Sequence, residues 1–313
     1  MKPVQINSVQ INSAQINLRS KRKAKRKSID VFLYGLMVLA SVAIGAALIG
    51  IIAYILVQSA GRLQLSAVFG LEPAGLESGV QDVSLLPMII STAWTVVVSL
   101  ALALPVGIMT AIYQREYVPR AGLSRFLGIA IDTLAGIPSI IYGLFGLLLF
   151  CRFFSLGQSI IAGGLTLSIM ILPVIIRTTE ESLKTVPVSF REASLSLGAT
   201  KFQTIFHVVL PPALPGILTA AILAAGRVVG ESAPVLFTVG IARHLPKTIF
   251  EPGRTLTIHL YYLTKEAVGP DDFARAFTAA AVLIILILVI NTIVKIIGLS
   301  LGRRGGATGE NID

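Results

Sequence analysis

Charged side chains are scarce in this sequence. Asp, Glu, Lys and Arg make up 13% of its 313 residues, while 54% are hydrophobic; soluble domains carry about 25% charged residues. Several apolar runs exceed about 18 residues without a helical or strand period. This excludes a soluble globular domain, and the lack of alternation excludes the strands of a membrane barrel. We expect an all-α polytopic protein in a lipid bilayer.

Residues for disulfide, metal and nucleotide chemistry are equally rare. The single cysteine, Cys151, excludes an internal disulfide. The three histidines, His207, His244 and His259, are too scattered for a metal signature, and we expect no metal site. No Gly-Lys pair occurs, so a Walker A loop cannot be formed. We therefore expect no enzyme activity and no cofactor: any ATP would be bound by a partner subunit.

The apolar runs predict six transmembrane helices. They cover residues 31–57, 88–112, 126–150, 159–176, 213–240 and 274–299. The first run has no charge, and at about 1.5 Å per residue it exceeds a bilayer core of about 30 Å, so it should tilt. The third and fourth runs contain Gly and Pro, which membrane helices tolerate when neighbours satisfy the freed backbone groups.

The net charge of +10 is concentrated near the start of the chain. Eight of the 26 Lys and Arg lie in residues 1–30, most of them in RSKRKAKRK, directly before the first apolar run. This pattern is typical of a cytoplasmic anchor beside a membrane helix. An RNA-binding tail is the alternative, but we expect no nucleic acid partner. The short VQINS repeat before it predicts that residues 1–30 form a disordered tail.

The distribution of basic residues predicts the orientation. The two tails and segments 113–125 and 177–211 contain 17 Lys and Arg, whereas the alternate connections contain 6. The positive-inside rule then places both termini, including a tail at 301–313, in the cytoplasm. Segment 241–273 is expected outside, where it either faces a partner or covers the bundle.

A polar, interrupted stretch, REASLSLGATKFQTIFHVVLP, occupies residues 191–211. Gly198 suits the left-handed residue that ends a helix, and Thr200 with Gln203 has the form of a capping box. We expect two short amphipathic helices, the second ended by Pro211. Their predicted apolar faces are Phe190, Ala193 and Leu197 in the first, and Phe202, Ile205 and Val209 in the second. From the residues alone, this stretch can be either a helical connector at the membrane surface or a docking site for a partner.

The same stretch resembles the EAA loop of permease subunits in ABC importers, E-A-A-x3-G-x9-I-x-L-P. Here Glu192, Ala193 and Ser194 stand for E-A-A, Gly198 follows after three residues, and Leu210 and Pro211 close the pattern, with Ser194 for Ala and Val208 for Ile as departures. The resemblance implies a MetI-like permease core over residues 85–300. It also implies that the loop at 178–211 is a coupling helix seated in a cleft of an ATPase subunit.

Two further stretches resemble the PstA-type permease of the high-affinity phosphate importer. They are AGIPSIIYGLFG (135–146) and GRVVGESAPVLFT (226–238), with Ser232 in place of Thr. The resemblance implies phosphate translocation across the cytoplasmic (inner) membrane with a PstC-type sister permease, an ATPase dimer and an extracytoplasmic phosphate-binding protein. The alternatives are a permease for sulfate, molybdate or a polyamine, and a secondary transporter without an ATPase.

Arg227 and Glu231 are candidates for the substrate path. Each charge costs about 2.5–3.5 kcal/mol in the middle of a membrane helix, and their spacing of four residues lets them pair. Gly226 and Gly230 beside them would permit close approach of another helix. The arginine could bind a phosphate oxyanion, or the two residues could form a structural ion pair.

Arg177 and Glu180, at the end of the fourth predicted span, also share a helix face. The resemblance implies that this pair takes part in transport, whereas ordinary snorkelling to the interface is the alternative. For Asp132, in the third predicted span, pairing with an arginine and a shallow interfacial position are both open.

Overall fold

The computed structural model describes residues 6–60, 84–118 and 121–306, and in these ranges all regular secondary structure is helical. Five helices are long and apolar enough to cross a membrane, and a sixth crossing is obtained when one bent helix pair counts as a single span. The prediction of an all-α protein with six membrane-spanning segments is therefore confirmed.

The chain divides into two units, Met1–Val57 and Gln58–Asp313. The first is helix α1, and the second contains ten further helices among the described residues, some of them continued by a π-helical turn. In chain order the helices are α1 (Ile6–Ser59), α2 (Leu86–Ile112, continued by Tyr113–Tyr117), α3 (Ala121–Ala135), α4 (Ser139–Gly146, continued by Leu147–Phe153), α5 (Ile160–Lys184), α6 (Val188–Ser196), α7 (Lys201–Thr204, continued by Ile205–Val209), α8 (Leu210–Gly230), α9 (Ala233–Thr238), α10 (Leu256–Glu266) and α11 (Pro270–Gly306).

Both ends of the chain contain more helix than the sequence predicts. Helix α1 begins at Ile6, so residues 6–30 are helical where a disordered tail was expected. Lys, Arg, Gln and Ala are good helix formers, and a helix propagates from a formed one without a new nucleation step. Helix α11 likewise extends to Gly306. Residues 1–5 and 307–313 of the predicted tails, and 61–83 of the first predicted outer connection, lie outside the described residues.

The third predicted span is not one continuous helix. Helix α3 ends at Ala135 and α4 begins at Ser139, with a bend of 92° between the two helical arms. Pro138 has no amide hydrogen to donate and disfavours the helical conformation at Ile137, so the helix must stop before it. One span was expected at residues 126–150, and the structure has a bent pair of helices there instead of a continuous helix.

The fifth predicted span is shorter at its end than expected. Helix α8 runs from Leu210 to Gly230, and the remaining residues form a separate short helix, α9. At its start, Pro211 lies in the first turn of α8 instead of ending the preceding helix, because a π-helical turn at Ile205–Val209 joins the two. Proline is well suited to a first helical turn, where its missing amide hydrogen is not needed.

The core of the second unit lies where α2, α5 and α8 pack together. Its buried side chains include Leu100 from α2, Leu167 and Ile171 from α5, and Val228 from α8. Small residues bring the backbones close. Gly216 of α8 lies against Ser182 of α5, whose hydroxyl donates a hydrogen bond of 2.6 Å to a carbonyl of α8. Such small-residue contacts hold membrane helices together where there is little hydrophobic driving force between them.

The connections of the second unit meet at two ends. At one, Arg191 of α6 pairs with Glu116 after α2, and Lys201 lies over the ring of Tyr117; we call this the loop end. At the other, the amides of Ser159 and Ile160 donate to carbonyls of Thr238 and Glu251. Segments 113–125 and 177–211, which the basic residues place on the same side of the membrane, thus contact each other.

The orientation can be tested with cysteines at two exposed positions. Leu197, at the loop end, is 89% exposed and Val268, before α11, is 94% exposed. In a protein with Cys151 replaced, a membrane-impermeant thiol reagent added outside should modify Val268→Cys and spare Leu197→Cys, because the basic residues place the loop end in the cytoplasm. The reverse labelling would contradict the orientation.

The close contact at Gly216 predicts a matched pair of stability effects. A Cβ atom at Gly216 would lie 2.2 Å from the Ser182 hydroxyl, whereas one at Gly226 on the same helix would meet nothing within 4 Å. Gly216→Ala should lower stability by about 1–3 kcal/mol through overpacking, and Gly226→Ala should not lower it. Thermal unfolding of the purified complex measures both; equal effects would contradict this packing.

Candidate functional site

The interrupted stretch folds as two short helices with the predicted caps. Gly198 has φ +86°, the left-handed conformation expected at the end of α6. The Thr200 hydroxyl accepts from the amide of Gln203 at 3.3 Å, and the Gln203 side chain accepts from the amide of Thr200 at 2.8 Å, forming the capping box. The two helices are also tied by a hydrogen bond of 2.9 Å between the hydroxyls of Ser194 and Thr204.

The apolar side chains of this loop are exposed more than the sequence predicts. No residue of α6 is buried, and the exposed set on α6 and α7 comprises Val188, Phe190, Leu195, Leu197 and Phe202. Phe202 does not join Ile205 and Val209, which are buried, but packs against the Phe206 ring. We call the exposed set the loop apolar surface. Large exposed apolar side chains on a connection between membrane helices are candidates for contact with a partner.

The other residues of the EAA-like pattern lie around this surface. Glu192 and Ala193 are exposed on α6 and Ser194 is half-buried. Gly198 follows at the break, and Leu210 and Pro211 are partly buried at the start of α8.

A partly buried ion pair anchors the loop to the bundle. The Arg191 guanidinium lies 2.8 Å from a Glu116 carboxylate oxygen, with 14% and 10% of the two side chains exposed. Arg191 also donates to the carbonyls of Leu183 and Val186, at the end of α5. The contact between Arg191 and Glu116 was not predicted from the sequence, because the two residues are 75 positions apart and no local pattern links them.

Arg177 is fully engaged within the chain. Its guanidinium donates to Asp132 on α3 at 2.7 Å and 3.0 Å, to Glu180 at 3.0 Å and to the carbonyl of Gly128 at 2.9 Å. Asp132 therefore pairs with an arginine, which was one of its two predicted roles. These bonds clamp α3 to α5 and leave little hydrogen-bonding capacity for a passing anion. The geometry favours a packing role for Arg177 and Glu180, and their part in transport stays a prediction.

Arg227 and Glu231 are paired but are not in the middle of a helix, as was expected. Arg227 lies in the last turn of α8, and Glu231 follows the end of that helix with an extended backbone. The helix stops here because Pro234 opens α9 and restricts the residues before it. The guanidinium nitrogen and carboxylate oxygen are 3.6 Å apart, and Arg227 makes no hydrogen bond to the described part of the chain.

The surface beside this pair is open. A Cβ atom at Gly226 or at Gly230 would meet nothing within 4 Å, so no described residue packs closely there. Helices α5 and α8 run in opposite directions, which places Arg177 nearer the loop end and Arg227 nearer the other end. The structure thus separates the two charged pairs that the sequence analysis assigned to one path.

Comparison with known proteins identifies the family. Residues 103–304, more than half of the chain, match the family described as binding-protein-dependent transport system inner membrane component. The chain belongs to this family. It is a permease subunit of an ABC importer, of the PstA type, and its family implies ATPase and binding-protein partners.

Two relatives are similar over most of their length. A probable ABC transporter permease protein, YqgI of Bacillus subtilis, is 31% identical over 89% of this chain and 98% of its own. The phosphate transport system permease protein PstA 1 of Mycobacterium tuberculosis (strain H37Rv) is 39% identical over 66% of this chain and 67% of its own. The first match supports an ABC permease, and the second supports the PstA type.

A solved structure supports the fold. The inward-facing MetNI methionine ABC transporter matches with a TM-score of 0.52 at 22% identity, covering 71% of this chain and 94% of that one. At this identity the likeness concerns the fold alone, and it confirms the expected MetI-like architecture.

The Arg191–Glu116 pair predicts a difference between single and double variants. Arg191→Gln or Glu116→Gln alone leaves a partly buried charge without its partner and should cost more than the about 0–1 kcal/mol of an exposed pair, whereas the double variant removes both charges and should cost less than either single variant. Each single variant should lower the thermal stability of the permease and weaken the stimulation of ATP hydrolysis by the substrate-loaded binding protein.

Lys184→Gln serves as the matched control, since its pair with Glu181 at the same end is exposed. Exposed pairs contribute about 0–1 kcal/mol, so this variant should behave as the unmodified protein. Single variants of Arg191 and Glu116 that are no worse than the control would contradict the anchoring role.

Proposed function

We propose that this chain is the membrane-spanning permease subunit that translocates inorganic phosphate in an ABC importer of the cytoplasmic (inner) membrane. Its partners are a PstC-type sister permease, a dimer of ATPase subunits that bind the ATP, and an extracytoplasmic phosphate-binding protein. Both termini and the loop end face the cytoplasm.

The incomplete pairing of Arg227 carries the proposal. A charge-assisted hydrogen bond is about 2.7–2.9 Å long, so the 3.6 Å pair with Glu231 leaves guanidinium donors free. Arg177, by contrast, uses its donors on three residues of its own chain. A free guanidinium beside an open surface suits bidentate binding of an oxyanion, and Glu231 keeps the empty site from holding an anion permanently.

The relatives favour phosphate among the possible anions. The curated proteins that are 39–41% identical to this chain over about two thirds of its length are phosphate transport system permeases, and a PstC phosphate permease of Mesorhizobium japonicum is 29% identical over 79% of it. A cationic site does not suit a polyamine, since like charges repel. The MetNI likeness carries no information on the substrate.

The loop apolar surface is the proposed contact with the ATPase subunits. Leu197 and Phe202 project from helices whose positions are fixed by the Gly198 break, by the Thr200 cap and by the Arg191 anchor. A rigid loop with exposed apolar side chains can bind a cleft and transmit its movement to α5 and α8, which directly flank the loop.

Phosphate uptake by charge-neutralised variants tests the proposal. Arg227→Gln should abolish uptake, and the double variant Arg227→Gln with Glu231→Gln should assemble normally yet still fail to transport, because the cation is gone. Uptake is measured in cells or proteoliposomes at matched levels of the assembled complex. Arg177→Gln is the contrasting variant: it should lower the thermal stability by leaving Asp132 and Glu180 without their partner.

Near-normal uptake by the double variant would leave Arg227 as a packing residue and contradict its role. Import of sulfate or molybdate instead of phosphate by the unmodified complex would contradict the proposed substrate. Uptake that continues without the ATPase would support a secondary transporter.

A further inference from the structure

A second arginine lies buried before helix α10 and forms no ion pair with any described residue. Arg254 is 5% exposed. Its Nε donates to the carbonyl of Ile241 at 3.1 Å, and its guanidinium lies 4.7 Å from the centre of the Tyr262 ring. Its Nη1 has no hydrogen-bond partner, and no carboxylate of the described residues forms an ion pair with it. The exposed carboxylate of Glu266 acts on this charge from a distance but forms no ion pair with it, so the buried cation is costly and needs a physical explanation.

His259 lies in the first turn of α10, within electrostatic reach of this cation. It is 6% exposed, and its Nδ1 also lacks a hydrogen-bond partner. Burial, and then the charges of Arg254 and Arg243, lower the pKa of His259 to about 4. The ring is therefore neutral at physiological pH. Its Nδ1 can donate or accept one hydrogen bond with a ligand, and the positive charge at this place belongs to Arg254.

The backbone adds to the positive potential. Arg254 directly precedes Thr255, which caps the 11-residue helix α10. The N-terminus of a helix carries a partial positive charge, so a cation there is unfavourable and an anion is favoured. Burial, the helix N-terminus and Arg243 all disfavour the charge of Arg254, and Tyr262 and Glu266 partly offset them. The arrangement would be stabilised by a bound anion.

The position of Arg254 and His259 suits a substrate entering the permease. The hydroxyl of Thr257 donates to the carbonyl of Val229 at 2.6 Å, joining the start of α10 to the last turn of α8, two residues beyond Arg227. The same region contacts the start of α2 through Thr92. It therefore lies at the end opposite the loop, on the side where the binding protein would deliver its cargo.

We propose that Arg254 and His259 form an oxyanion site, distinct from Arg227, that receives the permeant anion as it enters from the end opposite the loop. The inference rests on the proposed function, because it identifies the anion with the transported substrate. A small ion suits the site better than a carboxylate of the docked binding protein, since both side chains are enclosed by this chain. Arg227 would then be the next cation on the path.

Ligand-dependent thermal stability of the purified complex tests the site directly. Inorganic phosphate should raise the melting temperature of the unmodified complex, and Arg254→Gln should weaken the apparent affinity about 10- to 100-fold, as expected for the loss of a hydrogen bond to a charged group. Without phosphate, Arg254→Gln should melt no lower than the unmodified complex. His259→Gln should weaken the response less.

Lys265→Gln is the matched control, because this lysine is exposed on the same helix; its response to phosphate should be unchanged. Equal responses of Arg254→Gln and this control would overturn the site. So would a failure of Arg254→Gln to assemble, since that is the result of a purely structural arginine, and so would the absence of any anion-dependent shift in the unmodified complex.

The same measurement with sulfate and molybdate separates this proposal from the proposed function. A shift with one of these ions but not with phosphate, lost in Arg254→Gln, would uphold the site and contradict phosphate as the substrate. A protein carboxylate as the true ligand would appear as a shift that requires the binding protein and not the free anion, and would overturn the proposal.

Discussion

The ion pair between Arg191 and Glu116 is the contact on which the arrangement of the loop end depends. Helix α6 buries none of its side chains, so apolar packing does not fix its position. The guanidinium joins α6 to the end of α2 through Glu116 and to the end of α5 through two carbonyls. Breaking a largely enclosed ion pair is costly, because one charge loses its partner. The pair thus fixes α6 beside the buried cluster that contains Leu183, Val186 and Ile205, although α6 contributes no side chain to that cluster.

Three arginines of the second unit differ in how far their charges are satisfied. Arg177 is bound on all sides and clamps two helices. Arg227 is held loosely by Glu231 beside an open surface, and Arg254 is buried without a carboxylate partner in the described residues. An arginine whose donors are all used within the chain, such as Arg177, stabilises helix packing. An arginine with free donors, such as Arg227 or Arg254, can bind an anion. We infer that the anion path follows the unsatisfied cations, from the start of α10 to the end of α8.

The sequence predicts the features that depend on neighbouring residues. The apolar runs, the Gly198 break and the Thr200 capping box needed only local periodicity and turn chemistry, and all three are present. Features that depend on distant contacts were not predictable. The Arg191–Glu116 pair and the burial of α10 arise from tertiary packing. The bend at Pro138 had a local signal, but its outcome depended on whether neighbouring helices would satisfy the freed backbone groups.

We propose that the ATPase acts on the permease through the loop apolar surface. The most direct measurement places a photo-crosslinking residue at Leu197 in the assembled complex, with the same residue at Val268, at the opposite end, for comparison. We expect position 197 to form a crosslink to the ATPase subunit and position 268 to form none. An intact complex in which position 197 does not crosslink to the ATPase, or in which position 268 does, would show that the ATPase binds elsewhere.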